Sequence, residues 1–372
     1  MLGCTLHDLP LPELSRTGWP WTDAPEPLPA LMPDGQPWPR ISIVTPSYNQ
    51  GQFIEKTIRS VLLQGYPNLE YFIIDGGSTD QSVEIIRKYE PWLMYWVSEQ
   101  DRGQSHAIVK GLERCHGELF NWLNSDDYLL PGALAAVARQ WVGPKPHLVT
   151  GRALSVDLES GKIICDWSPR ALTQPIDFQL IHRMGVAQPA TFLALDALRK
   201  VGGIRQDLHY VMDWELYLRL SLQLRDQLRA ATIPAMIAHA LQHPEAKTVR
   251  HSVRFRIEVL QVLDEIRETL SVDEALGVRR YVDILNDQSL INALAMASQP
   301  CWRLACLPFY RPRVMRQRFF WGALRRALYA SIQVWRTIVL SSSAPSCAPI
   351  SGRQWPGQPP DPQSSRNHGA KY

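Results

Sequence analysis

Long uncharged apolar runs are missing from this chain of 372 residues. No stretch of about 18 such residues occurs, so a membrane-spanning helix is not expected. Cysteine is sparse and scattered: the six residues (4, 115, 165, 301, 306 and 347) form no CxxC pair and no framework spacing. That favours reduced thiols in a cytosolic setting over a disulfide scaffold or a zinc site. No basic segment followed by an apolar one opens the chain, so no cleaved signal peptide is expected. A dominant charge sign is lacking too. The formal net charge of +3 gives no indication of a nucleic-acid partner.

What is present is globular in composition, with 45% hydrophobic and 20% charged residues. The prolines concentrate at the two ends. In residues 1–40 they stand at 10, 12, 20, 25, 27, 29, 33, 37 and 39, a density that forbids a helix or a central strand. This stretch is expected to be an extended leader laid over the domain surface through Trp19, Trp21 and Trp38.

Order begins at Ile41. Ile41-Ser42-Ile43-Val44-Thr45 reads as a buried strand, and a helix follows with Phe53, Ile54, Ile58, Val61 and Leu62 at helical spacing. The pattern repeats through Tyr71-Phe72-Ile73-Ile74, a helix with Val83, Ile86 and Tyr89, then Met94-Tyr95-Trp96-Val97. A helix from about Gln104 to Cys115 leads to the strand Leu119-Phe120-Asn121-Trp122-Leu123. Apolar strands alternating with helices predict an α/β fold with a doubly wound, mostly parallel sheet. Ligands of such sheets sit at the carboxyl ends of the strands, where Asp75, Asp101, Asp126 and Asp127 are predicted to converge. Two adjacent carboxylates at the end of a buried strand repel each other and lose hydration. A divalent metal carrying a phosphorylated ligand would explain them. The alternative is a solvated turn, with Asp127 as N-cap of a helix beginning near Pro131. The first strand-to-helix turn, Thr45 to Gly51, carries neither GxGxxG nor GK[ST], so a helix N-terminus is not expected to hold the phosphates in the usual way.

Four motifs then occur in order: Ile43-Val44-Thr45-Pro46-Ser47-Tyr48-Asn49, Ile74-Asp75-Gly76-Gly77-Ser78-Thr79-Asp80, Asn124-Ser125-Asp126-Asp127 and Asp213-Trp214-Glu215. Together they resemble family 2 glycosyltransferases, inverting enzymes of the GT-A fold that use nucleotide-diphospho-sugars, over about residues 41–245. The resemblance implies that Thr45, Pro46, Tyr48 and Asp75 contact the base and ribose of the donor. It makes Asp126 and Asp127 the carboxylates of the DXD element, one on a Mg²⁺ or Mn²⁺ ion bridging the diphosphate and the other on a ribose hydroxyl or water. Two departures stand out: Gly76 lies where many members have a second Asp, and Asn124 where the first Asp of DXD often lies. The segment Ser98 to Gln104 is similar to a branch acting on bacterial polysaccharides. Arg102 and Lys110 are placed to meet diphosphate charge or to be solvated helix-end cations.

Inversion needs a carboxylate that takes the proton of the acceptor hydroxyl, remote in sequence from the metal pair. The family likeness assigns that role to Asp213; helix physics alone favours Asp213 as an N-cap and Glu215 as a first-turn charge. His182 and His209 are given only secondary acceptor or diphosphate roles. Residues 246–340 are expected to be a helical extension with an apolar cluster at Val259, Leu260, Val262 and Leu263. Within 301–340 eight arginines and no acidic residue occur, and from Val314 they line one face of an aromatic, amphipathic helix. That pattern suits an anionic membrane interface, which places the chain in the cytoplasm or peripherally on the inner face of the cytoplasmic membrane. Residues 341–372 are expected to be a disordered tail. The expected partners are a nucleotide-sugar donor and a sugar or lipid-linked acceptor, for cell-surface polysaccharide or glycolipid synthesis. A sugar-nucleotide pyrophosphorylase and a non-catalytic nucleotide-binding homologue are the competing readings.

Overall fold

The computed structural model describes residues 4–169, 186–247, 252–266 and 270. All of them fall in one compact unit, Met1–Leu285. The basic segment 301–340, the tail and His182 lie outside the described residues.

The sheet has nine strands: β1 (Ile41–Ser47), β2 (Leu69–Asp75), β3 (Tyr95–Ser98), β4 (Leu119–Trp122), β5 (Tyr128–Leu129), β6 (Leu148–Asp157), β7 (Ile163–Trp167), β8 (Thr191–Ala194) and β9 (Ala230–Gln242). Their order is β3-β2-β1-β4-β8-β6-β9-β5, with β7 on β6. The first four are all parallel, as the alternation of strand and helix requires. Beyond β4 the pairing is mixed, because β8 runs antiparallel to both β4 and β6. Every residue of β1 and β4 is buried, which explains why these strands are continuous apolar runs rather than alternating ones. The connecting helices are α1 (Ile54–Leu62), α2 (Ser82–Lys88), α3 (Gln104–Leu112) and α4 (Ala133–Arg139). They are followed by α5 (Leu195–Lys200), α6 (Met212–Leu224) and α7 (Ser252–Ile266).

Register sets the site. Ser47 lies beside Asp75 and Asp75 beside Ser98, so the carboxyl ends of β1, β2 and β3 form one edge. Trp122 pairs with Val44, which brings the turn after β4 to the same edge. Helix α4 is capped by Gly132, at φ +76°, so Asp127 does not cap it. The helix-capping explanation for the carboxylate pair therefore fails.

The leader packs on this unit through its carbonyls and tryptophans. A proline-rich segment has few N–H groups of its own, so its carbonyls must find donors elsewhere. Arg59 on α1, with no exposed surface, supplies them. Its Nε donates to Pro20 O (2.9 Å), Nη1 to Pro10 O (2.8 Å) and Nη2 to Trp21 O (3.1 Å). Trp19 Nε1 donates to Leu129 O at 2.8 Å, and Trp38, 3% exposed, donates to Pro29 O at 2.8 Å. Helix α7 buries Val259, Val262 and Leu263, whereas Leu260 is 41% exposed and outside the cluster expected of it.

Arg59→Met leaves those three carbonyls without their donor and should cost about 3 kcal/mol or more of unfolding free energy. Urea denaturation and limited proteolysis would check this. Unchanged stability together with an uncut leader would show that the guanidinium is not the clamp.

Candidate active site

The turn after β1 is laced to the turn after β2. Asn49, at φ +52°, a region Asn tolerates well, accepts from Thr79 N at 2.9 Å and gives its own N–H to Ser78 Oγ at 2.8 Å. Gly51 N donates to Asp80 Oδ2 at 2.8 Å. Beneath these turns Asp75 is fully buried and engaged at both oxygens. Oδ2 accepts from Gly77 N (3.1 Å), Ser78 N (2.8 Å) and Ser98 Oγ (2.7 Å), and Oδ1 from Ser78 Oγ (2.5 Å). Asp75 thus builds the edge. Thr45 is buried, with its hydroxyl 3.0 Å from Tyr71 Oη; Pro46 is buried at the end of β1, and Tyr48 is 61% exposed. Ser47 Oγ and Gln50 Oε1, on the same turn, are buried without a hydrogen-bond partner. Asp101 stands over Gly76: a Cβ there would lie 2.8 Å from Asp101 Oδ2. The missing side chain at 76 is therefore the space Asp101 occupies.

The turn after β4 is positioned from α1. Thr57 Oγ1 lies 2.8 Å from Ser125 O and 2.7 Å from Asp127 O, shared between the two acceptors. Asp126 Oδ2 is 3.1 Å from His243 Nε2. His243 is 5% exposed, and its ring packs against Phe53 with centroids 4.6 Å apart. Asp127, also 5% exposed, turns toward β9, where Leu241 N donates to Oδ1 at 3.2 Å. Asn124 Nδ2 donates to its other oxygen at 3.1 Å. Burial, and then the charge of Asp126, hold the Asp127 carboxyl well above the usual carboxylate range. Asn124 Oδ1 in turn accepts from Gln104 Nε2 at 2.6 Å, and Lys247 Nζ donates to Gln104 Oε1 at 2.8 Å.

Among the described residues no group of three or more His, Cys, Asp or Glu side chains is gathered for a metal. Asp126 with His243 offers one carboxylate oxygen and one imidazole nitrogen within a hydrogen bond, and Asp127 is its neighbour. That donor set, with its surplus of negative charge, fits a divalent cation whose remaining positions are filled by a ligand.

Asp213 lies in the first turn of α6, one residue after its start, so it is not the N-cap. Its Oδ1 accepts from Trp214 N at 2.8 Å, and burial raises its pKa. Glu215, by contrast, is held by Arg219 through two bonds of 2.8 and 2.9 Å. Gln188 donates to Trp122 O and receives Asn124 Nδ2 at 3.4 Å, linking the turn before β8 to the end of β4. Arg102 gives its guanidinium to Gln206 at 2.9 Å, and Lys110 pairs with Glu99 at 2.5 Å. Neither cation is drawn to Asp126. Lys247 reaches the same network through Gln104; burial lowers its pKa while Glu258, Asp126 and Asp101 act to raise it.

Three residues that sequence reading overlooked shape the site. His243 and Lys247 follow β9 with no motif around them. Glu258 on α7, 9% exposed, accepts from the amides of His209 (2.9 and 3.1 Å), Tyr210 (2.7 Å) and Val211 (3.2 Å), the backbone leading into Asp213. Its sequence signal was only an acidic residue inside an apolar helix stripe.

A parallel α/β half-sheet joined to a mixed half, with carboxylates at the strand ends, is the GT-A glycosyltransferase fold. A family model described as "Glycosyl transferase family 2" matches residues 42–196, and that part of the chain belongs to this family. An uncharacterized glycosyltransferase of Mycobacterium tuberculosis is 29% identical over 191 residues, 50% of this chain and 70% of the relative. A putative teichuronic acid biosynthesis glycosyltransferase, TuaG of Bacillus subtilis, is 39% identical over 94 residues, 24% of this chain and 36% of the relative. The crystal structure of S. aureus TarS 1–349 in complex with UDP-GlcNAc superposes with a TM-score of 0.51 at 17% identity, over 82% of this chain and 91% of that one. This last likeness bears on the fold alone. No helix among the described residues is long and apolar enough to cross a membrane.

Glu258→Ala removes the acceptor of three consecutive amides and is expected to destabilise the protein by about 2–4 kcal/mol. Amide exchange at 209–211 should accelerate. Unaltered exchange at those amides would show that Glu258 does not hold this backbone.

Proposed function

We propose that this family 2 glycosyltransferase moves a sugar, with inversion, from a nucleotide-diphospho-sugar to a hydroxyl acceptor in cell-surface polysaccharide or glycolipid synthesis. The observation that carries the reading is the Asp126–His243 pair, 3.1 Å apart beside buried Asp127 at the strand ends of this fold. The likeness to the putative teichuronic acid biosynthesis glycosyltransferase of Bacillus subtilis supports the polysaccharide setting.

Asp126 and His243, with Asp127 behind them, would hold a Mg²⁺ or Mn²⁺ ion. When bound, the ion supplies charge neutralisation for the departing diphosphate. Exposed Tyr48 marks the donor's entry face with buried Pro46 behind it, and the buried, unpartnered Ser47 hydroxyl and Gln50 carbonyl on the same turn are groups the donor can satisfy. Thr45 and Asp75 act from beneath, by shaping that face. Lys247 is the cation that meets diphosphate charge. Arg102 and Lys110, expected there from the sequence, are tied to Gln206 and Glu99. Asp213 accepts the proton of the acceptor hydroxyl as its oxygen attacks the anomeric carbon. A carboxylate whose burial raises its proton affinity is suited to that task, since a base works best near the operating pH.

Asp213→Asn is expected to lower the turnover number roughly 10²–10⁴-fold while donor binding by calorimetry stays within about twofold; loss of donor binding would refute the assignment as base. The same substitution separates function from stability. Because burial raises the native carboxyl above 3.8, the unfolded chain ionises first as pH rises, and the native state loses stability across that window. Asn, which retains a carbonyl for Trp214 N, should therefore raise the melting temperature at neutral pH, with the gain vanishing below about pH 3.8. Asp126→Ala should abolish any dependence of UDP or GDP binding on Mn²⁺. A thermal-shift panel with UDP-, dTDP- and GDP-sugars identifies the donor through ligand stabilisation, and no stabilisation by any of them would refute the donor reading.

A further inference from the structure

Next to the carboxylate pair lies a cavity of about 360 Å³ whose walls include Arg16 and Trp21 of the leader, Phe53 and Lys56 of the α1 region, Asp126 and Tyr128. Its size is at the lower end of small-ligand pockets, enough for one sugar-sized group. The leader is integral to it, since the carbonyls of Pro20 and Trp21 are held by buried Arg59.

Its two cations differ. Arg16 is neutralised by Glu55 at 2.8 Å and Glu13 at 3.4 Å. Lys56 has no carboxylate within ion-pair distance among the described residues; its ammonium sits 3.6 Å from the centroid of the Tyr128 ring. Burial pushes the Lys56 pKa down, and after burial the Lys56 charge is what pushes His239 down. His239 therefore favours the neutral form, with Nδ1 2.7 Å from Tyr128 Oη, and offers no counter-charge. Asp126 and Asp127 line the same cavity but neither pairs with this half-buried ammonium, which meets the Tyr128 ring face and would be stabilised by an anion that reaches it. The walls also include Trp21, Phe53 and Tyr128, with Arg16 4.6 Å from the Trp21 ring centroid, and these give a pyranose ring aromatic neighbours. Asp126 can accept from sugar hydroxyls.

We propose that this cavity binds an acidic sugar, a pyranose bearing a carboxylate or a phosphate, with the anionic group on Lys56 and the ring against the aromatic wall. Taking that sugar to be part of the acceptor rests on the glycosyltransferase reading above; the binding itself does not.

The test is calorimetry on the full chain with D-glucuronate, D-glucose 6-phosphate and D-glucose, and with UDP as a separate titration. At least one of the two anions is expected to bind at least roughly tenfold more tightly than glucose, the scale of one charge-assisted bond. Whichever anion binds more tightly tells whether the group is carboxylate or phosphate. Lys56→Met should lose that preference and Lys56→Arg should keep it, while circular dichroism melting confirms that both variants fold. Equal binding of glucose, no binding of either anion, or an unchanged preference in Lys56→Met would overturn the proposal. UDP binding in the same samples keeps the outcomes apart, because an intact UDP isotherm without anion binding refutes only the acidic-sugar pocket.

Discussion

A carboxylate taken out of water must be met by donors or by a cation, and the balance between supply and charge divides the acids of this protein into two kinds. Asp75 receives donors from Gly77, Ser78 and Ser98, and Glu258 receives three consecutive amides. Glu215 has the fork of Arg219, and Glu70 has Ser42 Oγ at 2.6 Å and His116 N at 2.9 Å. These groups are complete within the fold and act as its fasteners. Asp127 has two donors and a second carboxylate beside it, and burial pushes its pKa up. Asp213 has one amide, and burial pushes it up too. The incompletely supplied acids are the ones left for a ligand and for proton transfer.

The completed acids explain why segments outside the parallel half-sheet belong to the site. Glu258 is carried by α7, yet what it organises is the backbone before α6, and through it the placement of Asp213. The leader likewise brings Arg16 and Trp21 to the cavity beside Asp126. It can do so because Arg59 replaces the N–H donors that prolines lack. In both cases a buried charge on one element holds the main chain of another, a more directional constraint than apolar packing.

The parallel half of the fold was legible because its signal is local: buried strands are continuous apolar runs, and each ends in a polar turn. The mixed half was less so, since β8 and β9 take their places through pairings with strands far off in sequence. The site divides in the same way. Asp126, Asp127 and Asp213 could be named from motifs, but whether Asp213 was an N-cap depended on a start of α6 that differs by two residues, and Asp127 lies five positions before Gly132, the cap of α4. Asp75 was rightly placed at the strand edge, but its four hydrogen bonds, which make it a builder of that edge, are three-dimensional facts. His243 pairs with Asp126 across 117 positions, and Glu258 reaches back 47 to 49. A single histidine and a single glutamate carry no periodicity that would reveal such partners.

Asn124 shows how a departure from the common motif can be compensated. A carboxylate at this position would place a third negative charge beside Asp126 and Asp127, which already interact unfavourably. The amide serves in both directions instead. Nδ2 donates to Asp127 at 3.1 Å, and Oδ1 accepts from Gln104 at 2.6 Å, which in turn receives Lys247. The line from Lys247 to Asp127 is therefore a chain of donors ending on the most deeply buried acid of the pair, and it lowers the net charge that a bound cation must balance. With Asp101 filling the space above Gly76, both departures involve a polar residue from the turn after β3 or from α3. The end of β3 and the start of α3 thus complete the edge that β1, β2 and β4 begin.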